Sequence, residues 1–156
     1  MVIALGSPAP PVPGVADGPR VLVFFKVTCG TTHLAAPAIE RLGRAYPGRV
    51  TGVGQDDRPA LDSFAATYGV SLPLVPDLEP YVASDAYGIE SAPTAVAIGA
   101  DGAVLDVAEA WDRDAWNRLS ASFAAETGAE PMVVSEPSDG LPDFKPGLTT
   151  RNVRSV

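Results

Sequence analysis

One cysteine and one histidine in 156 residues narrow the chemistry open to this chain before any motif is sought. A single cysteine excludes an intramolecular disulfide, and with a single histidine it cannot assemble a Cys/His zinc site. Cations are scarce as well: 11 Lys and Arg stand against 19 Asp and Glu, a formal charge of −8. Such a surface repels phosphate backbones and anionic headgroups, so neither nucleic acid nor a membrane surface is expected as a partner. Long apolar runs are missing too. Val2-Ile3-Ala4-Leu5 is stopped at once by Gly6, Ser7, Pro8 and Pro10, with no basic stretch before it. Together with a thiol that would stay reduced in the cytosol, these features predict a cytoplasmic protein.

What remains is an ordinary globular composition, 46% hydrophobic and long enough for one domain with a real core. Residues 1–19 are rich in Pro, Ala and Gly and read as an extended lead-in. Residues 20–27 are dense in Val and Phe, as suits a strand covered on both faces. From Thr31, the positions Leu34, Ala38, Leu42 and Ala45 recur at helical spacing, with Pro37 inside the pattern and Tyr46-Pro47-Gly48 ending it. A strand over Val50 to Gln55 follows. Asp56-Asp57 ahead of Pro59 then reads as a capping pair for a helix through Leu61, Phe64, Ala65 and Tyr68. A weak strand is expected over Val70 to Val75 and a short helix within Asp77 to Tyr87. Thr94 to Ile98 and Ala103 to Val107, joined through Ala100-Asp101-Gly102, predict a hairpin. Asp112 caps a last helix that ends near Gly128. Alternating βα units closed by a hairpin give a mixed sheet in a three-layer α/β/α sandwich over residues 1–128. Residues 129–156 lack any sustained period and are expected as a loosely attached Pro/Gly-rich tail.

The only cysteine stands where the apolar strand gives way to the first helix, in Thr28-Cys29-Gly30-Thr31-Thr32-His33. Cys29-Gly30-Thr31-Thr32, four residues, then Pro37 is similar to the Cys-Gly-Pro-Cys, four residues, Pro signature of thioredoxin-like proteins. Tyr87-Gly88-Ile89-Glu90-Ser91-Ala92-Pro93-Thr94 resembles the loop that carries the cis-proline of that family. Over roughly residues 5–125 the chain resembles the branch of TlpA-type thiol reductases and peroxiredoxin-like redoxins. That resemblance implies a thioredoxin-like fold, a redox-active Cys29, and a cis bond before Pro93. Four departures stand out. Thr32 replaces the second cysteine, Thr28 an aromatic residue, Val23 a buried acid, and Leu148 a cysteine that some relatives carry after Pro146-Gly147. The peroxiredoxin pattern is absent as well, because Lys26 stands where its threonine would be.

A cysteine just before a helix faces unpaired N–H groups and the positive end of the dipole, both of which favour thiolate. The expected catalytic residues are therefore Cys29 and Thr32, whose hydroxyl would donate to the thiolate. Gly30, Thr31, Ala92 and Pro93 are expected to bind substrate, Ala92 through backbone groups open to an extended chain. No cofactor and no metal are implied. Without a second cysteine, a mixed disulfide at Cys29 needs an external thiol for release, so the expected partner is a protein or a low-molecular-weight thiol or disulfide. Two alternatives remain: a non-redox binding module that uses the cis-Pro groove, or a recruited biosynthetic enzyme using Cys29 for other covalent chemistry. His33 reads as a solvated helix residue, and Trp111 and Trp116 as packing residues.

Overall fold

The computed structural model describes residues 1–149. Its centre is a five-stranded mixed sheet. β1 (Arg20–Phe25) leads through α1 (Gly30–Ala45) to β2 (Val50–Gly54), then through α2 (Arg58–Tyr68) to β3 (Leu74–Pro76). α3 (Val82–Ala86) and β4 (Ser91–Ala92) carry the chain across to β5 (Thr94–Ile98) and β6 (Val104–Glu109). β7 (Trp111–Asp112), α4 (Arg113–Thr127), β8 (Phe144–Lys145) and β9 (Leu148–Thr149) complete it. The sheet order is β3-β2-β1-β5-β6, with β1, β2 and β3 parallel and β5 and β6 antiparallel to their neighbours. This is a thioredoxin-like α/β fold.

β1 is central because every side chain on it is apolar except Arg20, and all six residues are buried. Val21, Val23 and Phe25 point into a core shared with α1, α2 and α4, whereas Leu22 and Phe24 face Tyr87, Ile89, Val96 and Ile98 on the other side. Two successive right-handed crossovers in one direction put α1 and α2 on one face. Reversal across β1 then sends α3 to the other. Burying each large apolar side chain contributes about 1.5–3 kcal/mol, and this double-sided packing fixes where β1 ends and α1 begins.

The caps follow the sequence closely. Asp57 accepts from Ala60 N at 3.0 Å at the start of α2, and Asp112 accepts from Ala115 N at 3.1 Å at the start of α4. Both of those helices end on a glycine in the left-handed region, Gly69 and Gly128. β3 is shorter than the sequence suggests. Pro73 has no N–H to give to the ladder, so pairing starts at Leu74, while Val70 and Leu72 bury themselves under the helices. The lead-in is fastened too, since Ser7 and Ala9 exchange backbone bonds with Val104 and Gly102 beside β6.

Residues 129–149 are not loose. Val134 is fully buried, and Asn117 on α4 grips the backbone there, accepting from Val134 N and Ser135 N and donating to Ser135 O. Arg113 donates to Ser135 Oγ, Leu141 O and the Asp143 carboxylate, and Trp111 Nε1 donates to Pro142 O at 2.7 Å. Asp139 accepts from Arg41 at 2.9 Å, from Ser135 Oγ at 2.7 Å and from Leu141 N at 3.0 Å. The Ser135 and Leu141 hydrogen bonds, with Arg41, hold the Asp139 carboxyl well below the usual carboxylate range against the opposing effect of burial. The expected detachment fails because these contacts are polar and one residue long, so they leave no period in the sequence. Residues 150–156 of the expected tail lie outside the described residues.

Candidate active site

Cys29 is the extended residue immediately before α1, with φ −86° and ψ 118°. Its carbonyl accepts the first helical bond from His33 N at 3.1 Å, so its side chain projects from the mouth of the helix. The thiol donates to Ala92 O at 3.3 Å, and the Ala92–Pro93 peptide bond is cis. Pro37 lies within α1. The turn before Cys29 is braced from β2: Val27 N donates to Asp56 Oδ2 at 2.8 Å. Of the two acids read as a capping pair, Asp57 caps and Asp56 holds this turn.

Thr32 is fully buried, yet its hydroxyl finds no hydrogen-bond partner among the described residues. The expected donation to the sulfur is not formed in this structure, where the thiol turns toward Ala92 instead. His33 is half-buried, stacked on Tyr68 and bonded to Val27 O, rather than freely solvated. Trp111 and Trp116 are buried packing residues, as expected.

Two polar residues near the site were given no role from the sequence. Lys26 is buried at the end of β1. Burial pushes its ammonium below the ordinary lysine value, while Asp56 and the Cys29 sulfur pull in the other direction. Gln55 is buried at the end of β2, and neither atom of its amide has a partner among the described residues. The register pairs Phe25 with Gly54, so both residues follow the last rung of the parallel ladder, at the carboxyl end where α/β sheets present their sites. A lysine closing an otherwise apolar strand was the available signal.

The remaining predicted residues are brought together, and they meet the protein's own C-terminal segment. β9 pairs antiparallel with β4, Ala92 opposite Leu148 and Ser91 opposite Thr149. Thr31 Oγ1 donates to Pro146 O at 2.6 Å. A shallow cavity is lined on one side by Thr28, Cys29, Gly30 and Thr31 and on the other by Lys145 to Leu148. The backbone edge at Ala92, expected to be open, is thus covered, and Cys29 is only 2% exposed.

Comparison with protein-family models and with curated sequences returned no match. Solved structures did match. The chain is 27% identical to a secreted Mycobacterium tuberculosis disulfide oxidoreductase homologous to E. coli DsbE, over 69% of this chain and 81% of that one, with a TM-score of 0.56. A putative thiol:disulfide interchange protein DsbE from Chlorobium tepidum is 18% identical over 80% and 98%, with a TM-score of 0.65. An uncharacterized conserved protein from Geobacillus kaustophilus is 18% identical over 94% and 90%, with a TM-score of 0.66. The chain has a thioredoxin-like fold and is similar to DsbE-type proteins of that superfamily, with its single cysteine in Cys29-Gly30-Thr31-Thr32. The cytoplasmic expectation does not hold, because the similarity is to a secreted oxidoreductase. The physical reason is simple: a lone cysteine has no partner within the chain, so its lack of a disulfide carries no information about the compartment.

Among the described residues, no helix is long and apolar enough to cross a membrane.

Proposed function

We propose that this thioredoxin-like protein takes part in thiol–disulfide exchange through Cys29 alone. The observation that carries the reading is the position of the thiol, at the mouth of α1 and 3.3 Å from the carbonyl of Ala92 beside Pro93. As thiolate, Cys29 attacks one sulfur of a substrate disulfide. That S–S bond breaks, a mixed disulfide forms on Cys29, and the departing sulfur leaves as thiolate and takes a proton from solvent. An external thiolate then attacks the substrate sulfur of the mixed disulfide. The bond to Cys29 breaks, Cys29 leaves as thiolate, and the retained half of the substrate becomes disulfide-bonded to the external thiol, so one passage exchanges one sulfur of the substrate disulfide for another. The sulfur stands at the first turn of α1, near the buried Lys26. Gly30, Thr31, Ala92 and Pro93 would bind the substrate chain, with Thr32 a buried hydroxyl next to the reacting cysteine.

Incubation with oxidised glutathione, run to completion and read by intact mass, tests this. The expected product carries one glutathionyl group on Cys29, removed by dithiothreitol and absent from Cys29→Ala. A second reading is a non-redox peptide-binding module, favoured by the strand already paired along Ala92. It predicts no adduct at all, with binding retained in Cys29→Ala.

A further inference from the structure

The strand over Cys29 comes from the same chain, and its two halves are held differently. Residues 134–143 are anchored by a buried Val134, by Asn117 and by the Arg113–Asp139 cluster. Beyond them Phe144 is 56% exposed and Leu148 40% exposed, so the terminal half gives the fold little apolar burial. What seats that half is backbone chemistry: the β7–β8 and β4–β9 pairs and the Thr31–Pro146 hydrogen bond. Gly147 completes the fit. A β-carbon there would overlap the Ala92 carbonyl oxygen, the acceptor of the Cys29 thiol, and Ser91 Oγ.

We propose that residues 144–149 are a resident strand in the Cys29 groove, an autoinhibitory occupant that lifts off to let a substrate reach the thiol. The inference rests on the reading of Cys29 as the reacting group. An arm with a firm root and a weakly buried end opens locally without unfolding the domain, since local opening costs only the contacts that are broken. Its chemistry also describes what displaces it. The competitor is an extended polypeptide that pairs antiparallel with Ser91–Ala92 and sets a residue without a side chain against Ala92.

Alkylation of Cys29 by iodoacetamide under native conditions, in the full chain and in Gly147→Val, tests the proposal alongside amide hydrogen exchange at Ala92 and Leu148. The variant is expected to lose protection at those amides and to alkylate about tenfold faster or more, with an unchanged unfolding midpoint. Parental alkylation in a variant that has lost protection would show that the strand does not gate the thiol. Retained protection would show that the Gly147 fit does not seat it. Either result overturns the proposal, as does an equal gain in Leu42→Ala, whose strand contacts are untouched and whose faster labelling would reflect global opening. Iodoacetamide reads access alone, so a thiol that is freed but never takes glutathione would sink the exchange reading while leaving the resident strand standing.

Discussion

Two segments meet at Cys29, and different physics holds each of them. α1 is fixed by volume: Ala35, Ala36, Ala38, Ile39 and Leu42 are buried against Val21, Val23, Trp116 and Phe123. Residues 129–149 are fixed by direction. Apart from Val134 and the half-buried Ala129 and Leu141, their attachment is the β7–β8 and β4–β9 pairs and a series of hydrogen bonds from Arg113, Asn117, Arg41, Trp111 and Thr31 to backbone oxygens and to Asp139. The first kind of attachment is cooperative with the whole core, while the second can be released a contact at a time. Cys29 therefore sits on the rigid partner, and the strand over it belongs to the releasable one. Substitutions that act on one segment and spare the other make this contrast measurable.

The largest effect is expected from Leu42→Ala. Leu42 is fully buried, and its loss removes transfer energy and leaves a cavity among close-packed neighbours, about 2–5 kcal/mol in a site of this kind. Chemical denaturation should show one transition moved to lower denaturant with its slope unchanged. A cost below about 1 kcal/mol would mean that the α1 side is no more tightly packed than the tail.

Acid should weaken both segments, each through its own carboxylate. The folded Asp139 carboxyl is held below its ordinary value, so its stabilisation is fully present above the unfolded carboxylate range and is lost as pH falls toward the folded value. Glu40 behaves with the same sign at α1. Burial raises its carboxyl, but the Ser71 hydrogen bonds and Arg44 outweigh this and hold it below the usual range. Asp139→Asn separates the two. It should cost about 1.5–3 kcal/mol locally near neutral pH, the usual worth of hydrogen bonds to a charged group. Exchange protection at Val134 to Leu141 should fall and become insensitive to acid, while the α1 amides keep the parental acid response. Equal loss in both segments would show that they unfold as one unit.

The same contrast explains what could be read from the sequence. Period carries volume, so β1, α1, the β5–β6 hairpin and the order of elements were legible, as were the caps at Asp57 and Asp112. The registers of Cys29, Pro37 and Pro93 placed the candidate site on that frame. Direction leaves no period. β8 and β9 are two residues each, and an arginine in the first turn of α4 looks the same whether it faces water or, as Arg113 does, lies buried under the tail. The Thr32 hydroxyl was assigned to Cys29 by its place in the motif. Only the orientation of the thiol toward Ala92 shows that contact unmade. Lys26 and Gln55 received no role because a polar residue at a strand end is ordinarily solvated, and only the parallel register shows both set side by side at the sheet's carboxyl end.

The smallest effect, and the finest probe of the contrast, is expected from Thr31→Val. Its hydroxyl makes a side-chain hydrogen bond from the first turn of α1 to the terminal strand, to Pro146 O at 2.6 Å. The isosteric change keeps the buried volume, so α1 should be untouched. The lost bond is worth about 0.5–1.5 kcal/mol net, near the low end if Pro146 O, which belongs to an exposed residue, turns to water. Global stability should therefore move little, whereas the opening equilibrium of residues 144–149, which depends on few contacts, should shift by about threefold to tenfold. Exchange at Leu148 measures that shift directly. A change confined to the unfolding midpoint, with Leu148 protection intact, would mean that Thr31 serves the rigid side of the site and that the cover is held by its strand pairing alone.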